Sequence, residues 1–195
     1  LSRDCDVDPS DRVEGSFQAA LVAGRRFGVV GGTDAHDGRP GSLEDGPSAR
    51  WVYGDPNSPE FQQGAGGLTG VFIAGELSGE ELVQAMQRRH TVASTGPRLD
   101  MKMVAVGVDG NPYLPGDTPP SDAWPLKIKV VANEQLESSP VIRWIEADGQ
   151  VRNEEGMLGA WHELEGPSSP ALYGRIEFAD TRDVIWISPF FKGEF

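Results

Sequence analysis

The sequence predicts an α/β portion over residues 1–98, followed by a small all-β, sandwich-like domain over residues 99–195. Three observations carry that division. A helical apolar period near residues 13–24 leads through Gly24-Arg25-Arg26 into a short apolar run at 27–31. A second apolar run, at 68–74, precedes Ser78-Gly79-Glu80-Glu81, the pattern that opens a helix. From about Pro97 the apolar period falls to two, in short runs separated by Gly- and Pro-rich turns.

The first helix is expected to begin near Val13 or Ser16 and to end by Gly24. Val13, Phe17 and Leu21 share one face, with Ala20 on its flank. Gly24 supplies a C-terminal cap, and Arg25 and Arg26 sit where the helix dipole favours cations. Phe27 to Gly31 then reads as a fully buried strand, and Leu68 to Ala74 as another. Both runs are too apolar for an exposed sheet edge, so an upstream segment is expected to pack against them. Residues 37–67 are rich in glycine and proline and have little periodicity, which marks a functional or mobile loop; Ala49 to Tyr53 is a candidate short extended piece within it. The helix after Ser78 carries Leu82, Val83, Ala85 and Met86 before Arg88-Arg89.

Beyond residue 98, Leu99, Met101, Met103 and Ala105 alternate with outward positions, and Leu126, Ile128 and Val130 alternate against Lys127 and Lys129. Ile142 to Ala147 runs into Asp148-Gly149, a strong hairpin signal. Leu172 to Phe178 and Val184 to Ile187 supply two more strands. Trp124, Trp144, Trp161 and Trp186 either line a carbohydrate platform or, as aromatic residues in a small sandwich usually do, fill its core.

Charge and composition exclude some functions. The chain of 195 residues has a net charge of −13, with acidic residues scattered, which argues against nucleic acid as a partner. No stretch approaches the roughly 18 apolar residues of a membrane span. Cys5 is the single cysteine, so there is no disulfide framework. The chain opens at Leu1 with neither an initiator methionine nor a signal-peptide pattern, so its location is not readable.

The stretch with most chemistry is Gly31-Gly32-Thr33-Asp34-Ala35-His36-Asp37-Gly38-Arg39-Pro40-Gly41. In an extended segment residues i and i+2 point the same way, so Asp34 and His36 can converge on one point past a strand end. A carboxylate and an imidazole suit zinc, manganese or iron. Two ligands do not close a metal site, and the same pair also suits a turn carboxylate beside a solvated histidine. Arg39 either offers a charged fork to an anion or pairs with Asp37, Glu44 or Asp45. His90 either touches metal or substrate or caps the end of its helix.

The run from Gly31 to Gly41 resembles the last metal-binding motif of the PHP (polymerase and histidinol phosphatase) superfamily, in its DUF3604-type branch. Gly15 to Gly28 agrees with that branch, as do Gly66-Gly67-Leu68-Thr69-Gly70-Val71 and Arg88 to Arg98, in the same order and with similar spacing. The resemblance covers about residues 13–98. It implies that residues 1–98 are the C-terminal part of a distorted β/α barrel, with two or three divalent metal ions at its strand ends. Asp34 and His36 are then two of the ligands and catalytic residues, and the reaction is attack of metal-activated water on a phosphoester, with Arg39 the substrate-binding candidate by its place beside the motif. The implied partners are a small phosphorylated substrate and a missing N-terminal segment, covalent or on another chain. This chain departs from the family in having only His36, His90 and His162, with no His-x-His pair. It is therefore expected to be part of a longer protein. The alternative is a degenerate scaffold whose β-domain binds a partner or carbohydrate without catalysis.

Overall fold

The computed structural model describes residues 16–32, 67–95, 100–132, 140–179 and 183–193, the side chains of 153–155 excepted. Ser16 opens helix α1 (Phe17–Val22), its hydroxyl accepting from the Ala19 amide at 3.1 Å. Gly24, at φ +74°, closes it: the Gly24 amide donates to Leu21 O and the Arg25 amide to Ala20 O. That is the two-bond Schellman ending, in which glycine adopts the left-handed conformation without strain.

Helix α2 (Gly79–Gln87) starts where the capping box places it, with Ser78 Oγ accepting from the Glu81 amide at 3.1 Å. It ends on the same two-bond pattern, Arg89 N to Met86 O and His90 N to Ala85 O. Here, however, the left-handed position is filled by Arg89, at φ +67°. A non-glycine residue there costs on the order of 1 kcal/mol, which its side chain must offset.

Among the described residues, ten strands form two sheets. The first six are β1 (Leu68–Val71), β2 (Thr91–Ser94), β3 (Met101–Val106), β4 (Pro112–Tyr113), β5 (Leu126–Ala132) and β6 (Val141–Glu146). They are followed by β7 (Val151–Met157), β8 (Trp161–Leu164), β9 (Ala171–Glu177) and β10 (Val184–Phe191). A six-stranded sheet has the order β1-β2-β10-β9-β6-β7, and a four-stranded sheet the order β4-β3-β5-β8. Their inner faces share one core, in which Met103 and Ile128 of the smaller sheet meet Trp144, Ile176 and Ile187 of the larger. On the outer face of the larger sheet, Leu21 of α1 packs with Ile145, Tyr173 and Phe191. Phe17 meets Phe27 and Tyr173 edge-on there, at 5.3 and 5.0 Å between centroids.

The register shift in β10 between Ile187 and Phe190 puts both of those residues on the core face although they are three positions apart. Phe190 joins the sandwich core, while Phe191 joins the layer under α1. The β6–β7 hairpin turns at Asp148-Gly149 as expected, with Gly149 at φ +89°.

The α/β expectation for the first half needs correction. Every strand pairing in both sheets is antiparallel, and no β/α barrel occurs among the described residues. Val71 lies opposite Thr91, so β2 begins where β1 ends and runs back along it. The other side of β2 pairs with β10, which continues the hydrogen bonding across residue 98. The described part is thus mostly β.

Two strand expectations also change. Residues 27–31 form no ladder; Val29 is buried while Val30 is 60% exposed. The run expected at 68–74 is strand only to Val71, and β1 is a half-buried edge. No helix among the described residues is long and apolar enough to cross a membrane.

Candidate functional site

Asp34, His36 and Arg39 lie outside the described residues, as do Cys5, Val13 and the piece at 49–53. The structure does describe the two ends of the segment that carries the motif. Gly32 and Gly67 meet there, so closely that a Cβ on Gly67 would stand 2.5 Å from Gly32 O. A Cβ on Gly31 would stand 2.4 Å from Leu68 O. Glycine at both positions is a requirement of this backbone contact, not of turn geometry.

The approach to the motif is held by hydroxyl groups in place of a ladder. The Val29 amide donates to Ser188 Oγ at 3.0 Å, and Ser188 Oγ shares a 2.9 Å hydrogen bond with Thr91 Oγ1. Ser188 is fully buried at the shifted register of β10. Gly31 is gripped twice by Thr69: its amide donates to Thr69 Oγ1 at 3.0 Å, and that hydroxyl donates to Gly31 O at 2.8 Å. A Cβ on Gly28 would stand 2.9 Å from Thr91 Oγ1 and 3.1 Å from Ser188 Oγ. Ser188 Oγ, with Thr91 behind it, therefore reaches the Val29 amide only because residue 28 has no side chain.

Beside this anchor, the end of α2 is tied to the loop after β4. The Arg89 guanidinium donates twice to Gly116 O, at 3.0 and 3.2 Å, and lies over the Phe191 ring at 5.5 Å. Those contacts offset its left-handed backbone. Arg26 lies over the same ring at 5.9 Å.

His90 does not cap its helix with its ring. Its Nε2 meets Asp117 Oδ1 at 3.1 Å, and Asp117 Oδ2 accepts from the Leu114 amide at 2.7 Å. Burial works against the Asp117 charge, but the hydrogen bonds from His90 and Leu114 prevail and hold its pKa below the ordinary carboxylate value. Both Asp117 oxygens are thereby engaged in fixing the loop.

Among the described residues there is no group of three or more His, Cys, Asp or Glu placed to hold a metal. His162 faces inward and meets Met157 O at 3.1 Å. The tryptophans form no platform: Trp144 is fully buried in the core, and Trp161 and Trp186 lie on different sheets. Only Trp161 among them is largely exposed, at 56%.

Most of the anchor lies within one matched region. Residues 20–111 match a family model. It is DUF3604, described as a protein of unknown function. The match covers just under half of the chain, from within α1 to the residue before β4. No curated protein and no solved structure matches. The DUF3604-like region includes the motif at 31–41 and the anchoring residues Thr69, Arg89 and Thr91, while Ser188 and Asp117 lie beyond it. Thr69 and Thr91 stand in the stretches whose order and spacing marked the resemblance. No local signal marks Ser188, whose partner Val29 lies 159 residues away, and the Asp117 contact with His90 spans 27 residues even though Asp117 also accepts from nearby Leu114.

Proposed function

We propose that this chain takes part in a metal-dependent phosphoesterase resembling the PHP family, with Asp34 and His36 as metal ligands and Arg39 facing the anionic substrate. The observation that carries the reading is the anchored base of the motif. Two to five residues before Asp34, the backbone is pinned by the Gly32–Gly67 contact, by Thr69 at Gly31 and by Ser188 at Val29, and pre-organised ligands are what a metal site requires. The matched region contains the whole motif, but its family is of unknown function, so the phosphoesterase reading rests on the resemblance of residues 31–41. A bound zinc, manganese or iron ion supplies an activated water and charge neutralisation at the phosphoryl group. Asp34 would supply a carboxylate ligand to the two or three ions that the resemblance implies. His36 contributes a directional imidazole bond, and Arg39 a planar fork for phosphate oxygens.

The test is metal affinity of the full chain by calorimetry with manganese and with zinc, alongside turnover of an aryl phosphoester. Asp34→Ala and His36→Ala are each expected to weaken metal binding at least tenfold, since even outer partners of metal ligands are worth about tenfold or more. Equal affinity in wild type and both variants refutes the assignment. Metal bound at these residues without turnover favours a scaffold whose β-rich part binds a partner.

A further inference from the structure

The outer face of the four-stranded sheet differs from the rest of this acidic chain. The sequence has lysine at only four positions, 102, 127, 129 and 192, and the first three point outward from this one face. Register places them together. Val104 lies opposite Lys129, which lies opposite Trp161, and the neighbouring row runs from Lys127 to Glu163. Lys102 lies two residues along β3 from Val104 on the same side. Trp161 is 56% exposed and Val104 49%. The Lys129 ammonium sits over the Trp161 ring at 5.9 Å, and Lys127 reaches Glu163 at 3.7 Å with both side chains largely in solvent.

We infer that this face is a docking surface for an extended acidic polypeptide segment with apolar residues among its carboxylates. Lys127 and Lys129 are two residues apart on one strand, so their stems repeat at about 7 Å. An extended peptide repeats its same-side residues at that interval, so alternate Glu or Asp side chains match the ammonium row. Trp161 and Val104 offer apolar contact beside the charges, as the centre of a protein–protein interface does. Side chains half exposed on an open sheet do not make the concave pocket that a small molecule needs. A net charge of −13 repels anionic bilayers and nucleic acid as whole surfaces, yet leaves a local basic face free to take a single acidic strand.

The probe is a fluorescein-labelled twelve-residue peptide of alternating Glu and Val, read by anisotropy, with backbone amide shifts locating the contact. Binding is expected in the micromolar to submillimolar range at low salt, at least tenfold weaker at 0.5 M salt, with shifts in β3, β5 and β8. The triple substitution Lys102→Gln, Lys127→Gln, Lys129→Gln and the single Trp161→Ser should each weaken it at least fivefold while the circular dichroism and melting temperature hold. A triple Lys→Glu variant should instead bind the matching Lys/Val peptide. No binding at 1 mM, shifts on the other sheet, or unchanged affinity in the folded triple variant overturns the inference. So does binding to phosphatidylserine vesicles in place of the peptide.

Discussion

Glu146 is a carboxylate with no exposed surface, at the end of β6, and replacing it by glutamine removes its charge while keeping its shape. Oε2 accepts from Ser168 Oγ at 2.6 Å and from the Ser169 amide at 2.8 Å; Oε1 accepts from the Ser168 amide at 3.2 Å and from Arg152. Ser169 Oγ in turn accepts from the Ala147 amide and donates to Ala171 O, so the cluster joins the β6–β7 turn to the start of β9. Burial opposes the charge, but the hydrogen bonds from Ser168 and Ser169 outweigh it and lower the pKa to about 2 from 4.5. That difference corresponds to on the order of 3 kcal/mol of stability, and to about 2 kcal/mol once screening through the solvent-facing Arg152 is allowed for.

The sign follows from the depressed folded value. The contribution is complete above the unfolded pKa near 4.5 and disappears as pH falls towards about 2. Urea melts of wild type and Glu146→Gln at pH 7, 5 and 2.5 should show a gap of about 2 kcal/mol at neutral pH. The gap should shrink steadily below pH 4.5, because the unfolded chain then takes up a proton that the folded carboxylate does not, and it should be small by pH 2.5. A gap that is absent at pH 7, or equal at pH 7 and pH 2.5, refutes the view that the charge itself is what the two serines and Arg152 stabilise.

Two further outcomes follow from the anchor beneath the motif. Thr69→Val should remove both hydrogen bonds to Gly31 for at most about 1 kcal/mol of global stability, since the site is exposed. Amide exchange at Gly31 should nevertheless quicken and be restored by Thr69→Ser; unchanged exchange counts against the clamp. Asp117→Asn should cost about 1 kcal/mol at pH 7 by weakening the contacts to His90 and Leu114, discounted for partial exposure. Because the Asp117 pKa is lowered, that cost should fade below the ordinary carboxylate range, and urea melts at pH 7 and pH 3 that differ equally from wild type contradict it.

Local physics made several elements readable from the chain alone. Ser16 and Gly24 bracket α1, and Ser78 with Glu81 opens α2, because capping satisfies amides within three or four residues. The alternation at Met103 and Ala105, and at Leu126, Ile128 and Val130, places those residues in the core for the same local reason, the period of the pleat. The Asp34-x-His36 motif was visible as chemistry, though its place in space lies outside the described residues. Partner choice was not local. The apolar run at 27–31 looks like a strand, yet its amides go to hydroxyls on Thr69 and Ser188, the latter some 160 positions on. In β8, Trp161 faces solvent and His162 the interior, the reverse of what hydrophobicity suggests. The inward ring finds Met157 O, while the indole lies under Lys129. Above all, β2 could not be seen to lie between β1 and β10. Sheet order is set by contacts remote in sequence, whereas composition and period record only which face a residue prefers.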